Sequence, residues 1–203
     1  MLRRLSSTSL VALSVSVWLS AGFGIPVFAD NEGMYTHADE LYEKGEYTQA
    51  IGAFDELLVR EPDNWAALND RAMSYYQLQQ YDKALEDFTR AIKIKPDYAI
   101  AYDGRGRALR HLNRLEDAIK DLNKAISLAP RDMHAYNNRG RVYHELGRDH
   151  QAIKDFKQAI QLEPGYAYAH YNLAVAYNAV GKSALAEKEQ AKAAELNPAL
   201  GHR

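Results

Sequence analysis

Residues 99–132 read AIAYDGRGRALRHLNRLEDAIKDLNKAISLAPRD, and residues 133–166 read MHAYNNRGRVYHELGRDHQAIKDFKQAIQLEPGY. The two stretches align without a gap, and each has its proline at the same place. The same spacing of 34 residues separates five prolines in turn: Pro62, Pro96, Pro130, Pro164 and Pro198. A fixed period in this range is the signature of a repeat array. It divides the chain into five frames: 31–64, 65–98, 99–132, 133–166 and 167–200.

The frames share a pattern of small and bulky residues. Position 8 of the frame is always small, and position 20 is always alanine: Ala38, Ala72, Gly106, Gly140 and Ala174, then Ala50, Ala84, Ala118, Ala152 and Ala186. Apolar residues recur three or four places apart in both halves of a frame, which is the spacing of an amphipathic helix. Each frame is therefore predicted to form two helices that cross closely at the small residues.

This pattern resembles the tetratricopeptide repeat (TPR) family, whose repeat is a 34-residue pair of helices with small, aromatic, alanine and proline positions. The resemblance spans residues 31–200. It implies an all-α fold, a right-handed solenoid of five helix-turn-helix repeats. It also implies that the first helices of the repeats line a concave groove, which takes an extended peptide or a helix of a partner protein.

Frame positions 2, 5, 9 and 12 lie on one helical face and are predicted to line this groove. From these positions we select the partner-binding candidates Tyr35, Tyr42, Asn69, Tyr76, Arg107, Arg110, Asn137, Arg141, His144, Tyr168 and Tyr171. The three groove arginines are expected to bind an acidic or carboxylate-bearing segment, and Asn137 to hydrogen-bond a peptide backbone. The alternative is a solvated arginine cluster, partly neutralised by Asp103 and by acidic residues of the first frame.

Three further arginines, Arg71, Arg105 and Arg139, share frame position 7. Their periodicity favours a structural role, with the aliphatic part packed between helices and the charged head in water. We do not expect them to contact a ligand.

Composition and motifs argue against an enzyme. The chain has 203 residues, a net charge of −2 and no cysteine, so disulfides and thiolate chemistry are excluded. His144 and His150 lie six apart rather than four, which does not fit a zinc-protease helix. The sequence contains no phosphate-binding loop and no nucleophile elbow. We expect no catalytic or metal site and no cofactor, and the near-neutral charge disfavours an RNA-binding solenoid.

Residues 1–29 have the pattern of a secretory signal peptide, and residues 30–203 form the TPR array. Arg3 and Arg4 precede an uncharged stretch that ends in Val27, Phe28 and Ala29. These features predict a secreted or periplasmic location. Together with the family resemblance and the composition of the groove, they predict a scaffold for protein–protein interaction, expected to be a monomer. The alternative is a membrane-tethered assembly factor or co-chaperone whose N-terminal segment is not cleaved, the only case in which membrane contact is expected.

Cleavage after Ala29 makes Asp30 the first residue of the mature protein. The expected result is an intact mass, measured on exported protein, that lacks residues 1–29. A full-length species retained in the membrane fraction would contradict cleavage.

Overall fold

A computed structural model describes residues 30–201, and the predicted signal peptide lies outside them. Within this range the chain forms ten α-helices and no strand. In chain order they are α1 (Asn31–Glu43), α2 (Tyr47–Arg60), α3 (Trp65–Gln77), α4 (Tyr81–Ile94), α5 (Ala99–His111), α6 (Leu115–Leu128), α7 (Met133–Glu145), α8 (Asp149–Leu162), α9 (Ala167–Ala179) and α10 (Ser183–Leu196). The all-α solenoid of five helical pairs is confirmed, and a short 3₁₀ turn, Pro198–Leu200, follows α10.

The repeat sequence sets where each helix begins and ends. Asp30, Asn64 and Asp132 cap α1, α3 and α7 by accepting a hydrogen bond from a backbone N–H of the first turn. Each second helix ends two residues before the repeat proline, and the residue between them leaves the helical conformation. A proline disfavours helical geometry in the residue before it, which explains this uniform end.

The turn inside each helical pair has a left-handed residue at frame position 15. Three of these residues are glycines, whereas Gln79 (φ 58°) and Asn113 (φ 57°) have side chains. An L-residue is strained in this conformation, and asparagine tolerates it better than glutamine.

The small residues at positions 8 and 20 lie at the crossing of the two helices in each pair, as predicted. The alanines at both positions are buried in every repeat. The glycines are required by their neighbours: a Cβ on Gly106 would lie 2.8 Å from Leu122, and one on Gly140 would lie 2.6 Å from Phe156. The bulky residue at position 24 therefore fills the space that the small residue leaves.

The ten helices form two layers. The odd-numbered helices, which we call the inner helices, contact one another in series from α1 to α9. The even-numbered helices pack against the inner helices, but within residues 30–201 their backbones do not approach one another as closely as those of the inner helices do. Because one layer is more closely spaced than the other, the stack curves with the inner helices on its concave side.

The arginines at position 7 do not extend into water, which corrects the sequence-based expectation. Arg105 forms a two-pronged ion pair with Asp121 at 2.7 and 2.8 Å. Arg71 and Arg139 pair in the same way with Asp87 and Asp155, which are largely buried. Their structural role stands, but its basis is bidentate pairing between the two helices of a repeat.

The left-handed turns provide a stability test. Gly147 has no atom within 4 Å of an added Cβ, so Gly147→Ala should act through backbone strain alone. We expect a loss of about 1 kcal/mol in the free energy of unfolding. The matched variant Gln79→Gly removes strain at the equivalent residue, and should stabilise the protein by about 0.5 kcal/mol. Urea unfolding measures both, and effects of the same sign would contradict this account.

Candidate partner-binding groove

At two of the four predicted groove positions, the side chains form hydrogen bonds between neighbouring inner helices. Residues at position 5 bond to position 6 of the next repeat, and residues at position 12 bond to position 13. The position-5 pairs are Tyr35 with Asp70, Asp103 with Asn138 and Asn137 with Asn172, and the position-12 pairs are Tyr42 with Gln77 and Arg110 with Glu145. All five pairs are 35 residues apart. These side chains join the repeats to one another.

Several sequence-predicted candidates are therefore engaged within the protein. Asn137 is only 3% exposed, its Oδ1 accepts from Asn172 at 2.9 Å, and its Nδ2 faces the Tyr166 hydroxyl at 3.5 Å. This burial and internal bonding argue against the predicted contact between Asn137 and a peptide backbone. Asn69 is fully buried and donates to Asp70 at 2.9 Å, so it does not line an open surface either.

Arg110 and His144, both at position 12, also have internal partners. Arg110 donates to Glu145 at 2.5 Å and to His111 Nε2 at 2.8 Å, and its side chain is only 10% exposed. His144 Nδ1 lies 2.5 Å from Asp149, across the turn between α7 and α8. Arg110 is therefore engaged by internal partners. His144 uses only Nδ1 in this contact, and its side chain is 37% exposed.

Position 9 lies between these two rows and forms what we call the central row: Asp39, Met73, Arg107, Arg141 and Val175. Arg141 is half-buried, yet it forms no hydrogen bond or ion pair with another described residue. Arg107 likewise has no such bond, and its guanidinium lies over the ring of Tyr76 at 4.3 Å from the centroid. The structure thus leaves two adjacent groove arginines without a counter-ion in direct contact.

Several positive charges lie close together around Arg141. Burial and the neighbouring Arg110 and Arg107 lower the pKa of Arg141, although Tyr76 and Glu145 partly oppose them. An arginine remains charged at neutral pH because the ordinary pKa of a guanidinium lies far above neutrality. The lowered pKa indicates that the cation lacks compensation where it lies, and an anion placed beside Arg107 and Arg141 would supply it.

Asp103 lies close enough to Arg107 to interact with it electrostatically, and it is already hydrogen-bonded to Asn138 at 2.8 Å. Burial raises the pKa of Asp103, while the Asn138 bond and the charge of Arg107 act in the opposite direction. The sequence-based alternative of a cluster partly neutralised by Asp103 therefore applies to Arg107. It does not apply to Arg141, whose charge neighbours are Arg110, Glu145 and Arg107.

The tyrosine candidates fall into three environments. Tyr35 packs edge-on against buried Phe54, Tyr42 packs against Tyr47, and Tyr76 lies beneath Arg107. Tyr168 is 52% exposed, whereas Tyr171 packs against the cluster around Leu200. Tyr76 and Tyr168 are thus the best placed of the five to contact a partner.

Sequence reasoning missed two aromatic residues beside the arginines. The His111 ring stacks on Tyr81 with centroids 4.4 Å apart, and it meets Tyr76 edge-on at 5.5 Å. His111 occupies position 13, which the groove prediction did not include. Its spacing of 35 residues from Tyr76 is the same spacing that joins the hydrogen-bonded pairs, and it could have identified this contact.

No cluster of histidine and carboxylate residues that could hold a metal ion occurs in the part of the chain that the structure describes. Within residues 30–201, no helix is both long and apolar enough to cross a bilayer.

Family comparisons agree with this architecture over most of the chain. Models described as tetratricopeptide repeat match residues 35–99 and 167–200, and a model described as TPR repeat matches residues 106–147 and 140–181. The chain belongs to the tetratricopeptide repeat family. TPR proteins are in general scaffolds for protein–protein interaction rather than enzymes, and the matched families include no catalytic one.

Solved TPR structures resemble the chain along nearly their whole length. A crystal structure of MamA is 27% identical, covers 80% of this chain and 95% of its own, and has a TM-score of 0.70. TTC0263, a thermophilic TPR protein of Thermus thermophilus, is 28% identical, covers 83% and 92%, and has a TM-score of 0.72. YrrB, described as a TPR protein with an unusual peptide-binding site, is 22% identical over 85% and 90%, with a TM-score of 0.66. At that identity, the likeness to YrrB concerns the fold alone. No curated protein matches the sequence significantly.

The pKa of His111 offers a test of the positive charges around Arg141. Partial burial and the positive charges of Arg110, Arg141 and Arg107 lower the pKa of this imidazole, against an opposing effect of Glu145. A nearby cation disfavours protonation, so Arg141→Gln should raise the pKa of His111 in an NMR titration. The exposed Arg131→Gln serves as a matched control and should leave the pKa unchanged. Equal shifts in both variants would contradict the proposed cluster.

Proposed function

We propose that this protein is a scaffold that binds an extended segment of a partner protein in the groove of its inner helices, with an acidic side chain or terminal carboxylate of the partner held by Arg107 and Arg141. The observation that carries the proposal is that Arg141 lies half-buried among other arginines and has no bonding partner of its own among the described residues. Uncompensated buried charge is costly, and such charges are normally paired. A carboxylate from a partner satisfies this requirement.

The chemistry of the two arginines suits a carboxylate. A guanidinium presents its N–H groups in a planar fork that matches the two oxygens of a carboxylate. Stacking on Tyr76 fixes the plane of Arg107, which reduces the conformational entropy lost on binding. Glu145 and His111 hold Arg110 near Arg107 and Arg141. The positive charge of Arg110 adds to the attraction for a carboxylate without contacting it.

A single chain supplies every residue of this groove, so we propose that the protein acts as a monomer. We also propose that it acts outside the cytoplasm, after removal of residues 1–29. The cleavage pattern at Val27–Ala29 supports this location, and so does the role of Asp30 as the N-cap of α1, which cleavage after Ala29 would preserve.

A binding measurement with defined peptides tests the proposed function. The probes are a capped twelve-residue peptide with three glutamates, and the same peptide with glutamines in their place. We expect the acidic peptide to bind more tightly. Arg141→Gln and Arg107→Gln should each weaken its binding about tenfold or more, because a charge-assisted hydrogen bond contributes about 1.5–3 kcal/mol.

Arg131→Gln is the control, since it removes the same charge from an exposed turn residue. It should change the affinity less than twofold, and the circular dichroism spectra of all variants should match that of the parent protein. Equal affinity for the acidic and amide peptides, or the same loss in the control as in the groove variants, would overturn the proposal.

A further inference from the structure

In the second to fifth repeats a polar contact joins the two helices of the pair, and its donor is different in the fifth repeat. In the second, third and fourth repeats an arginine at position 7 binds an aspartate at position 23: Arg71 with Asp87, Arg105 with Asp121 and Arg139 with Asp155. In the fifth repeat these positions hold Leu173 and Glu189, so that pair cannot form. Instead, Nδ1 of His170 on α9 lies 2.6 Å from Oε2 of Glu189 on α10.

The other ring nitrogen of His170 also faces an acceptor. Its Nε2 lies 3.1 Å from the carbonyl oxygen of Pro164, on the turn between α8 and α9. Position 4 has the same role in the two preceding repeats, where a tyrosine hydroxyl donates to the carbonyl of the repeat proline. These pairs are Tyr102 with Pro96 and Tyr136 with Pro130. The repeated contact identifies His170 Nε2 as a donor, since a carbonyl oxygen can only accept.

Both ring nitrogens can donate only when the imidazole of His170 is protonated. A neutral histidine has one N–H and one lone pair, so either tautomer would direct a lone pair at an oxygen of Glu189 or Pro164. Because His170 is only 7% exposed, little water reaches the ring to replace the missing donor. The imidazolium donates to both oxygens, and its charge complements that of the Glu189 carboxylate.

Other charged side chains on the elements packed against α9 have partners of their own. Asp155 pairs with Arg139, Glu163 with the N–H of Gly165 and Lys192 with Glu195, and Lys157 lies over the Tyr177 ring. Within residues 30–201, Glu189 is therefore the charged group that contacts the ring of His170.

We infer that the fifth repeat contains a proton-dependent latch, in which protonated His170 holds α9 to Glu189 of α10 and to the Pro164 carbonyl. Histidine is the side chain that gains or loses a proton between about pH 5 and pH 8, whereas arginine stays charged throughout that range. The proton is bound in the folded repeat, so the latch holds at the lower pH and is lost as the pH rises. The arginine pairs of the second to fourth repeats do not change.

The latch acts on the end of the groove. Helix α9 contributes Tyr168 and Val175 to the groove face, and its Asn172 donates to Asn137 on α7 at 2.9 Å. Within residues 30–201 the fifth repeat packs against a neighbouring repeat on one side only, and a repeat is stabilised by its own contacts and by those with its neighbours. Loss of the latch should therefore loosen the fifth repeat before the others. This inference does not depend on the partner proposed above.

Amide hydrogen exchange of the full-length protein, measured at about pH 5 and about pH 8, tests the latch. Protection factors correct for the pH dependence of exchange itself. They are compared between α9 and α10 and the reference helices α3 and α4, which contain no histidine. We expect the protection of α9 and α10, relative to the reference helices, to fall about tenfold at the higher pH, the loss expected for one charge-assisted hydrogen bond.

Two variants and a control separate the latch from other effects of pH. His170→Tyr restores the donor of the two preceding repeats, which does not titrate in this range, and should abolish the fall in protection. Glu189→Gln should abolish it as well, because the amide can donate to a neutral imidazole. His150→Gln removes an exposed histidine of α8 and should keep the full effect. An unchanged pH effect in both His170→Tyr and Glu189→Gln, or no such effect in the parent protein, would overturn the latch.

Discussion

The close crossing of the two helices in each repeat is the constraint on which the rest of this structure depends. Gly106 and Gly140 leave no room for a Cβ beneath Leu122 and Phe156, and alanines fill the corresponding positions elsewhere. This contact fixes the helical pair, and the pair repeats every 34 residues. Stacking the pairs buries the apolar face that one repeat cannot bury alone. It also brings the inner helices close enough for their side chains to bond across repeats.

These bonds between repeats define what the groove can do. Positions 5 and 12 hold the inner helices together through pairs such as Asp103 with Asn138 and Arg110 with Glu145. Position 9 lies between them and takes no part in this bonding. The arginines at position 9 therefore remain available to a ligand.

The sequence period predicted the helical pairs and the small residues at the crossing, because each depends on one repeat alone. It did not predict which groove residues are free, since that depends on the offset between neighbouring repeats. The partners are 35 residues apart rather than 34, and this offset buries Asn137 and engages Arg110. The sequence could have predicted the pairing of Arg139 with Asp155, because an arginine and an aspartate 16 residues apart recur in three repeats.

The central claim is that the unpaired arginines of position 9 bind the partner while the paired arginines of position 7 only hold the fold. NMR of the arginine Nε–H groups, recorded with and without an acidic peptide, tests it directly. The account predicts that the signals of Arg107 and Arg141 shift on binding while those of Arg71, Arg105 and Arg139 stay in place. Shifts confined to the position-7 arginines, or none at Arg107 and Arg141 when the peptide is bound, would contradict it.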